Sequence, residues 1–301
     1  GDVYKRQNNR MKELTAKRAV PALPVAGSFR AIDFSLSSMS NSHIQTVAIL
    51  TQYNARSLNE HLSSSKWWNF GRKQGGLFLF TPTVTADNSD WYRGTADAMY
   101  QNIDFLKRRH EPYVIISSGD CVYKLDFNRV LDFHIEKKSD ITVVCKDMMY
   151  NDDVSRFGVV RMDEESRITE FDEKPIEASS NTISTGIYVI RRRQLIELLE
   201  AAAEENRFDF VNDILVRYKN VKKIYGYKIN SYWNNIADID AYFKTNMDFL
   251  RPDVRSYFFR EEPTICSKVD DLPPAKFNPG SDISNSLVSS GCIINLSLIH
   301  I

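Results

Sequence analysis

Trp91-Tyr92-Arg93-Gly94-Thr95-Ala96-Asp97-Ala98-Met99-Tyr100-Gln101-Asn102 reads as a loop that tightens at Gly94 and turns straight into a helix. Thr95 is placed to cap that helix with its hydroxyl, and Asp97 sits in the first turn, where a negative charge suits the helix dipole. The helical pattern runs over 95–109, and Tyr113-Val114-Ile115-Ile116-Ser117 follows as a buried strand. Such a loop–helix–strand unit is the building block of an α/β sheet. It also brings two aromatics, an arginine and bare glycine backbone to a helix N-terminus, a place that suits phosphates. An ordinary junction with Trp91 and Tyr92 packed as core explains the same residues, so the flanking sequence must decide.

Upstream, Thr46-Val47-Ala48-Ile49-Leu50 is an apolar run of the buried-strand type, and Ala55, Leu58 and Leu62 share one face of a short helix. Downstream, Asp126 caps a helix reaching 137, and Ile141-Thr142-Val143-Val144-Cys145 is the next strand. This β-α-β-α-β rhythm predicts a mostly parallel sheet flanked by helices. Residues 157–160 and 167–171 read as paired antiparallel strands, which makes the sheet mixed. A strand over 183–190, helices over 192–204 and 209–218, a strand over 223–229 and a helix over 238–250 capped by Asp238 complete the pattern. Beyond Leu250 the periodicity fades. Leu272-Pro273-Pro274-Ala275-Lys276-Phe277 is a connector made rigid by its prolines. In 286–294, apolar pairs alternate with small residues, as in the first coil of a hexapeptide β-helix.

A chain of 301 residues accommodates one large domain or two smaller ones, and 43% hydrophobic with 26% charged residues is a globular composition. Lys+Arg and Asp+Glu are equal at 39 each, so no overall field steers the chain to nucleic acid or to a membrane surface. No apolar run reaches membrane-spanning length. Cys121, Cys145, Cys266 and Cys292 lack metal-ligand spacing. The first two fall in or beside strands and read as buried free thiols, which suits a cytoplasmic location. The termini are a separate matter. Asp2-Val3-Tyr4-Lys5-Arg6-Gln7 can be encoded by DNA whose reverse complement translates to Leu-Ser-Leu-Ile-His-Ile, the sequence of 296–301. Both ends are therefore expected to be translated adapter DNA around an open-ended gene fragment, and they are left out of the fold reasoning.

Chemistry concentrates at strand ends. Ser118-Gly119-Asp120 directly follows a buried strand, where ligands of open α/β sheets bind, and a carboxylate there suits a metal or phosphate site as well as a plain turn. Glu173-Lys174-Pro175 offers a lysine fixed by the following proline, either for a sugar phosphate or as a solvated turn. Ser184-Thr185-Gly186-Ile187-Tyr188 lets a sugar ring approach the backbone or marks a bulge.

These pieces stand in order with Leu14-Thr15-Ala16-Lys17-Arg18, Phe29-Arg30-Ala31-Ile32-Asp33-Phe34, Leu50-Thr51-Gln52-Tyr53, Phe157-Gly158-Val159, Tyr232-Trp233 and Pro273-Pro274-Ala275-Lys276-Phe277. Together they resemble bacterial glucose-1-phosphate adenylyltransferase. The resemblance implies a Rossmann-like nucleotidyltransferase domain with a mixed, mostly parallel sheet, followed by a truncated left-handed β-helix. The implied layout is 1–7 and 296–301 adapter, 8–250 nucleotidyltransferase-like domain, 251–280 linker and 281–295 the start of the β-helix. The implied reaction joins ATP and glucose 1-phosphate into ADP-glucose and pyrophosphate with Mg²⁺, by positioning and charge neutralisation. Carried over by motif, Asp120 is the metal-binding carboxylate and also a nucleotide contact. Lys174 is the sugar-phosphate lysine, Glu173, Ser184 and Gly186 line the glucose pocket, and Gln52, Trp91 and Gly94 lie on the nucleotide side.

Two departures stand out. Catalytic members read Tyr-Trp-Arg-Asp-Val-Gly where this chain reads Tyr232-Trp233-Asn234-Asn235-Ile236-Ala237, so Asn235 replaces the second metal-binding carboxylate. They also carry lysine before the proline where Val20 precedes Pro21. A hard cation prefers anionic oxygen, so the Mg²⁺ site is expected to be weakened. The glycine-rich phosphate loop implied just upstream of Leu14 falls outside this sequence. The pattern is similar to the GlgD-type companion subunit that accompanies a catalytic subunit in glycogen synthesis, with ATP, glucose 1-phosphate or ADP-glucose as possible ligands. The alternatives are a catalytically competent adenylyltransferase, a module that senses a sugar phosphate or nucleotide without chemistry, and a transferase for another sugar or base.

Overall fold

The computed structural model describes residues 10–71, 75–82, 91–150 and 152–295. The adapter-like segments 1–7 and 296–301 lie outside the described residues. Thr182–Arg191 is the organising strand, and all but two of its ten residues are buried. Ile141–Asp147 pairs antiparallel along one edge, and Ile224–Lys228 extends that side in parallel. The other edge is shared: Tyr113–Ser117 takes the C-terminal half, while Gly158–Met162 meets the N-terminal half at Ile183 and carries Ile168–Glu173 outside it.

The sheet is mixed, as read from the sequence, but its ladders are mostly antiparallel. Tyr113–Ser117, Ile141–Asp147 and Ile224–Lys228 do run the same way, as the β-α-β rhythm requires. Thr182–Arg191 is inserted between the first two in the opposite sense. Apolar periodicity marks a strand as buried on both faces but says nothing of its direction. Parallel pairing recurs in Thr46–Leu50 with Gly76–Phe80.

Alternation along the strands divides the core into two layers. Ile141, Val143, Tyr188 and Ile190 face Leu195, Leu198 and Leu199 of helix Arg192–Glu204, together with Phe210 and Ile214. Val144, Ile187 and Val189 face Phe127 and Val130 of helix Phe127–Glu136. Asp126 caps that helix by accepting from Asn128 N at 3.0 Å, and Asp238 caps Ile239–Asp248 by accepting from Ala241 N at 2.8 Å, both as the sequence indicates.

Three elements differ from expectation. The helix over 95–109 is broken into Thr95–Gln101 and Ile103–Lys107 by Asn102, whose amide donates to Ala98 O and to the Tyr92 hydroxyl. An asparagine side chain that bonds nearby backbone competes with helix propagation. Within 209–218, Val211–Val216 is a π-helical turn. Beyond Leu250, where a linker is expected, Pro252–Phe259 is a helix. Its Val254 and Phe258 are buried with Phe34 and Phe249, and Pro252 supplies the fixed φ that suits a first turn. Further on, Lys276–Phe277 pairs in parallel with Ile293–Ile294, so the chain returns alongside itself in the same direction.

His134 is buried beneath the sheet, with Nδ1 against Thr142 Oγ1 at 2.8 Å and its ring edge-on to Tyr113. Burial, reinforced by Arg191, pushes its pKa down to about 4. The unfolded chain therefore takes up a proton near the ordinary histidine value while the folded chain does not. Stability is expected to fall as pH drops from about 6.5 towards 4, by up to roughly 3 kcal/mol from this group. Urea unfolding of the parent and of His134→Gln across that window checks this: the variant should lose that part of the slope.

Candidate nucleotide and sugar-phosphate site

Strand Tyr113–Ser117 ends in Ser118-Gly119-Asp120 at the mouth of the sheet. The Ser118 hydroxyl donates to Asp120 Oδ1, and the Cys121 thiol lies 3.5 Å from the same oxygen. Complete burial, with Asp120 beside it, raises the Cys121 pKa well above its ordinary value, so the thiol stays protonated and can donate. Trp233–Asn235 pairs antiparallel with Cys121–Tyr123, placing Asn235 opposite Cys121, and Ile236 N donates to Asp120 O at 2.9 Å. Strand pairing thus brings Asn235 opposite the residue that follows Asp120, although the two are far apart in sequence.

Both ends of the Asn235 amide are used locally. Oδ1 accepts from Ala237 N at 3.0 Å, and Nδ2 donates to Cys121 Sγ at 3.4 Å. No group of three or more His, Cys, Asp or Glu side chains able to hold a metal ion exists among the described residues. A lone carboxylate beside an amide is a poor donor set for Mg²⁺. Val20 stands in the adjoining 3₁₀ turn Val20–Ala22 and packs against the cluster of Leu23, Val25 and Phe34. Its neighbour Pro21 presses on Gly119: a β-carbon there would lie 3.2 Å from the Pro21 ring. The turn carrying Val20 therefore abuts the Asp120 loop.

The residues expected on the sugar side gather around a bulge in the central strand. Register shifts between Ser184 and Tyr188, and Gly186 takes φ +75°, in the left-handed region that favours glycine. Gly186 O accepts from Ser118 N at 3.1 Å, which ties the bulge to the Asp120 loop. Ser184 Oγ donates to the Tyr188 hydroxyl at 3.2 Å, and burial raises the Tyr188 pKa, with Glu173 nearby adding to the effect. Glu173 lies opposite Gly158, where a β-carbon would crowd Phe171 and Glu173 Oε2. Lys174 pairs with Glu173 Oε1 at 2.9 Å yet remains 59% exposed. Tyr188, Ser118 and Cys121 touch the candidate site residues although the sequence reading gave them no role of their own. Ser118, two residues before Asp120 in a turn, was the one with a visible signal.

Gln52, Trp91 and Gly94 form a second group. Gln52 Oε1 accepts from Tyr92 N at 2.7 Å, and Trp91 and Tyr53, both more than half exposed, place their rings 6.2 Å apart. Buried Asp97 accepts from Arg93 N and Nη2 and from Gln101 Nε2, each at 2.8 Å. Thr95 does not cap its own helix: its hydroxyl accepts from Phe210 N at 2.9 Å. In return Phe208 O accepts from Ala96 N and Asp97 N at 2.8 and 3.2 Å. A β-carbon on Gly94 would lie 2.2 Å from that Phe208 oxygen, which is why only glycine fits.

A mixed sheet with layers of helices, a carboxylate at a central strand end and a bulged glycine beside it define a nucleotidyltransferase-type domain, and the nucleotidyl transferase family model matches residues 7–251. Glucose-1-phosphate adenylyltransferase of Clostridium acetobutylicum is 38% identical over 291 residues, covering 96% of this chain and 76% of that protein. The enzymes of the same name from Clostridium novyi and Thermosipho melanesiensis are each 37% identical, over 96% of this chain and 76% and 70% of theirs. The chain belongs to the glucose-1-phosphate adenylyltransferase family.

Gly94→Ala is expected to destabilise the fold by about 1–3 kcal/mol, because the Phe208 carbonyl must move. Urea denaturation measures the loss, and an unchanged midpoint would contradict the close approach.

Proposed function

We propose that this chain is the regulatory, GlgD-type subunit of a hetero-oligomeric glucose-1-phosphate adenylyltransferase in the cytoplasm, serving glycogen synthesis with little turnover of its own. The observation that carries the reading is Asn235: it stands beside Asp120, where a second carboxylate would complete a cation site, and its amide is committed to Ala237 N and Cys121 Sγ. Mg²⁺, which bridges and neutralises phosphates in this type of transfer, is therefore expected to bind weakly here. Val20 supports the same reading, since an apolar side chain occupies a second position where a cation would face phosphate.

Ligand recognition without turnover remains open to this site. Lys174 is exposed for a sugar phosphate, Ser184 and Gly186 border the Asp120 loop, and Gln52, Trp91 and Gly94 offer an aromatic and backbone edge to ATP or ADP-glucose. The parallel return of Lys276–Phe277 beside Ile293–Ile294 supports a left-handed β-helix beginning there.

ADP-glucose formation from ATP, glucose 1-phosphate and Mg²⁺ tests the proposal, with the chain alone and mixed with a catalytic subunit. The chain alone is expected to be nearly silent, and the mixture to exceed the catalytic subunit by itself. Asn235→Asp together with Val20→Lys should raise the activity of the chain alone at least about tenfold, the scale of one strong charge contact in a transition state. Robust turnover by the parent chain, or a double variant no faster than an already active parent, would establish a competent enzyme instead.

A further inference from the structure

Tyr113 begins the strand that ends at Ser117 before Asp120, and it pairs with Arg191 at the far end of the central strand. Four residues of strand separate this end from the Asp120 loop, about 13 Å at the usual rise. Here a cavity of about 410 Å³ is lined by His110, Pro112, Tyr113, Arg191, Arg192 and Arg193. Among the described residues, three arginines and a histidine line it and no carboxylate does.

The cavity has a fixed wall and free cations. Arg192 is locked by Nε to Glu111 O at 2.9 Å, Nη1 to Leu106 O at 3.2 Å and its backbone N to Pro112 O at 2.8 Å. Arg191 and Arg193 are exposed and have no ion-pair partner among the described residues. The nearest acid in sequence, Glu111, is turned to other donors: Thr46 Oγ1 at 3.2 Å and His110 N at 3.1 Å. Behind the wall, His134 packs edge-on against Tyr113 at 5.5 Å and leaves Nε2 buried without a hydrogen-bond partner among the described residues. Helix Arg192–Glu204 starts at this cavity with no acid in its first turn and no side-chain cap. Clustered cations at a helix start repel both one another and the helix dipole, and a bound anion relieves both.

We propose that this cavity binds a small anion carrying phosphate groups, held by Arg191 and Arg193 with His110 at the rim. Planar guanidinium groups engage phosphate oxygens through paired hydrogen bonds, and the volume suits a small ligand of that class. The assignment stands whether or not the Asp120 site turns over.

Pyrophosphate without Mg²⁺ is the probe, followed through the labelled ring of His110 by NMR and by calorimetry. Saturable movement of the His110 resonances is expected, beyond that caused by chloride at equal ionic strength. Arg191→Gln and Arg193→Gln should each weaken this response about tenfold, the scale of one charge-assisted contact. Lys174→Gln, altered at the other end of the sheet, should leave it unchanged. Movement matched by chloride, or arginine variants that keep their circular dichroism and bind as tightly as the parent, would overturn the proposal. Arg193→Gln alone decides the matter if Arg191→Gln fails to fold.

Discussion

The structure depends on the burial of Thr182–Arg191 on both faces and both edges. A strand so enclosed must find a partner for its backbone groups within the protein. Ile141–Asp147 serves one edge along its length, but the other is served by two strands that arrive from different parts of the chain. The bulge between Ser184 and Tyr188 lies where this strand changes partners. Ser118 N then bonds Gly186 O, so a backbone requirement of the core sets the Asp120 loop beside Ser184 and Gly186.

The same economy shows at Asn235. An aspartate in this place would present two anionic oxygens beside Asp120, a costly pairing without a cation between them. Asparagine carries no charge and satisfies both ends of its amide, at Cys121 Sγ and Ala237 N. Asn235 thus forms a turn that is satisfied within the protein, inside the fold shared with the family.

How much of this was legible in the sequence follows from the range of each interaction. Asp126 and Asp238 are local caps, visible because the carboxylate and the amides it bonds are two or three residues apart. The break at Asn102 was hidden because apolar spacing continues across it, and only the reach of its amide to Ala98 and Tyr92 interrupts the helix. The direction of Thr182–Arg191 and the helix Pro252–Phe259 depend on partners such as Phe34 that no local window contains. Within the candidate site, Asp120, Glu173, Lys174, Ser184 and Gly186 are proposed by motif, and their proximity depends on the bulge at Gly186. The contact of Pro21 with Gly119 and of Cys121 with Asn235 could not be picked out by motif.

The exchange of hydrogen bonds between the segment around Thr95 and that around Phe208 has a consequence for folding. Phe208 O closes the start of one helix, and the Thr95 hydroxyl serves the amide of Phe210 at the start of the next turn. Neither start is complete until a chain loop of more than a hundred residues has closed. The two helix starts therefore depend on the same long-range contact, and each loses its hydrogen bonds when the other moves away. Amide exchange at Ala96, Asp97 and Phe210 should rise and fall as one unit.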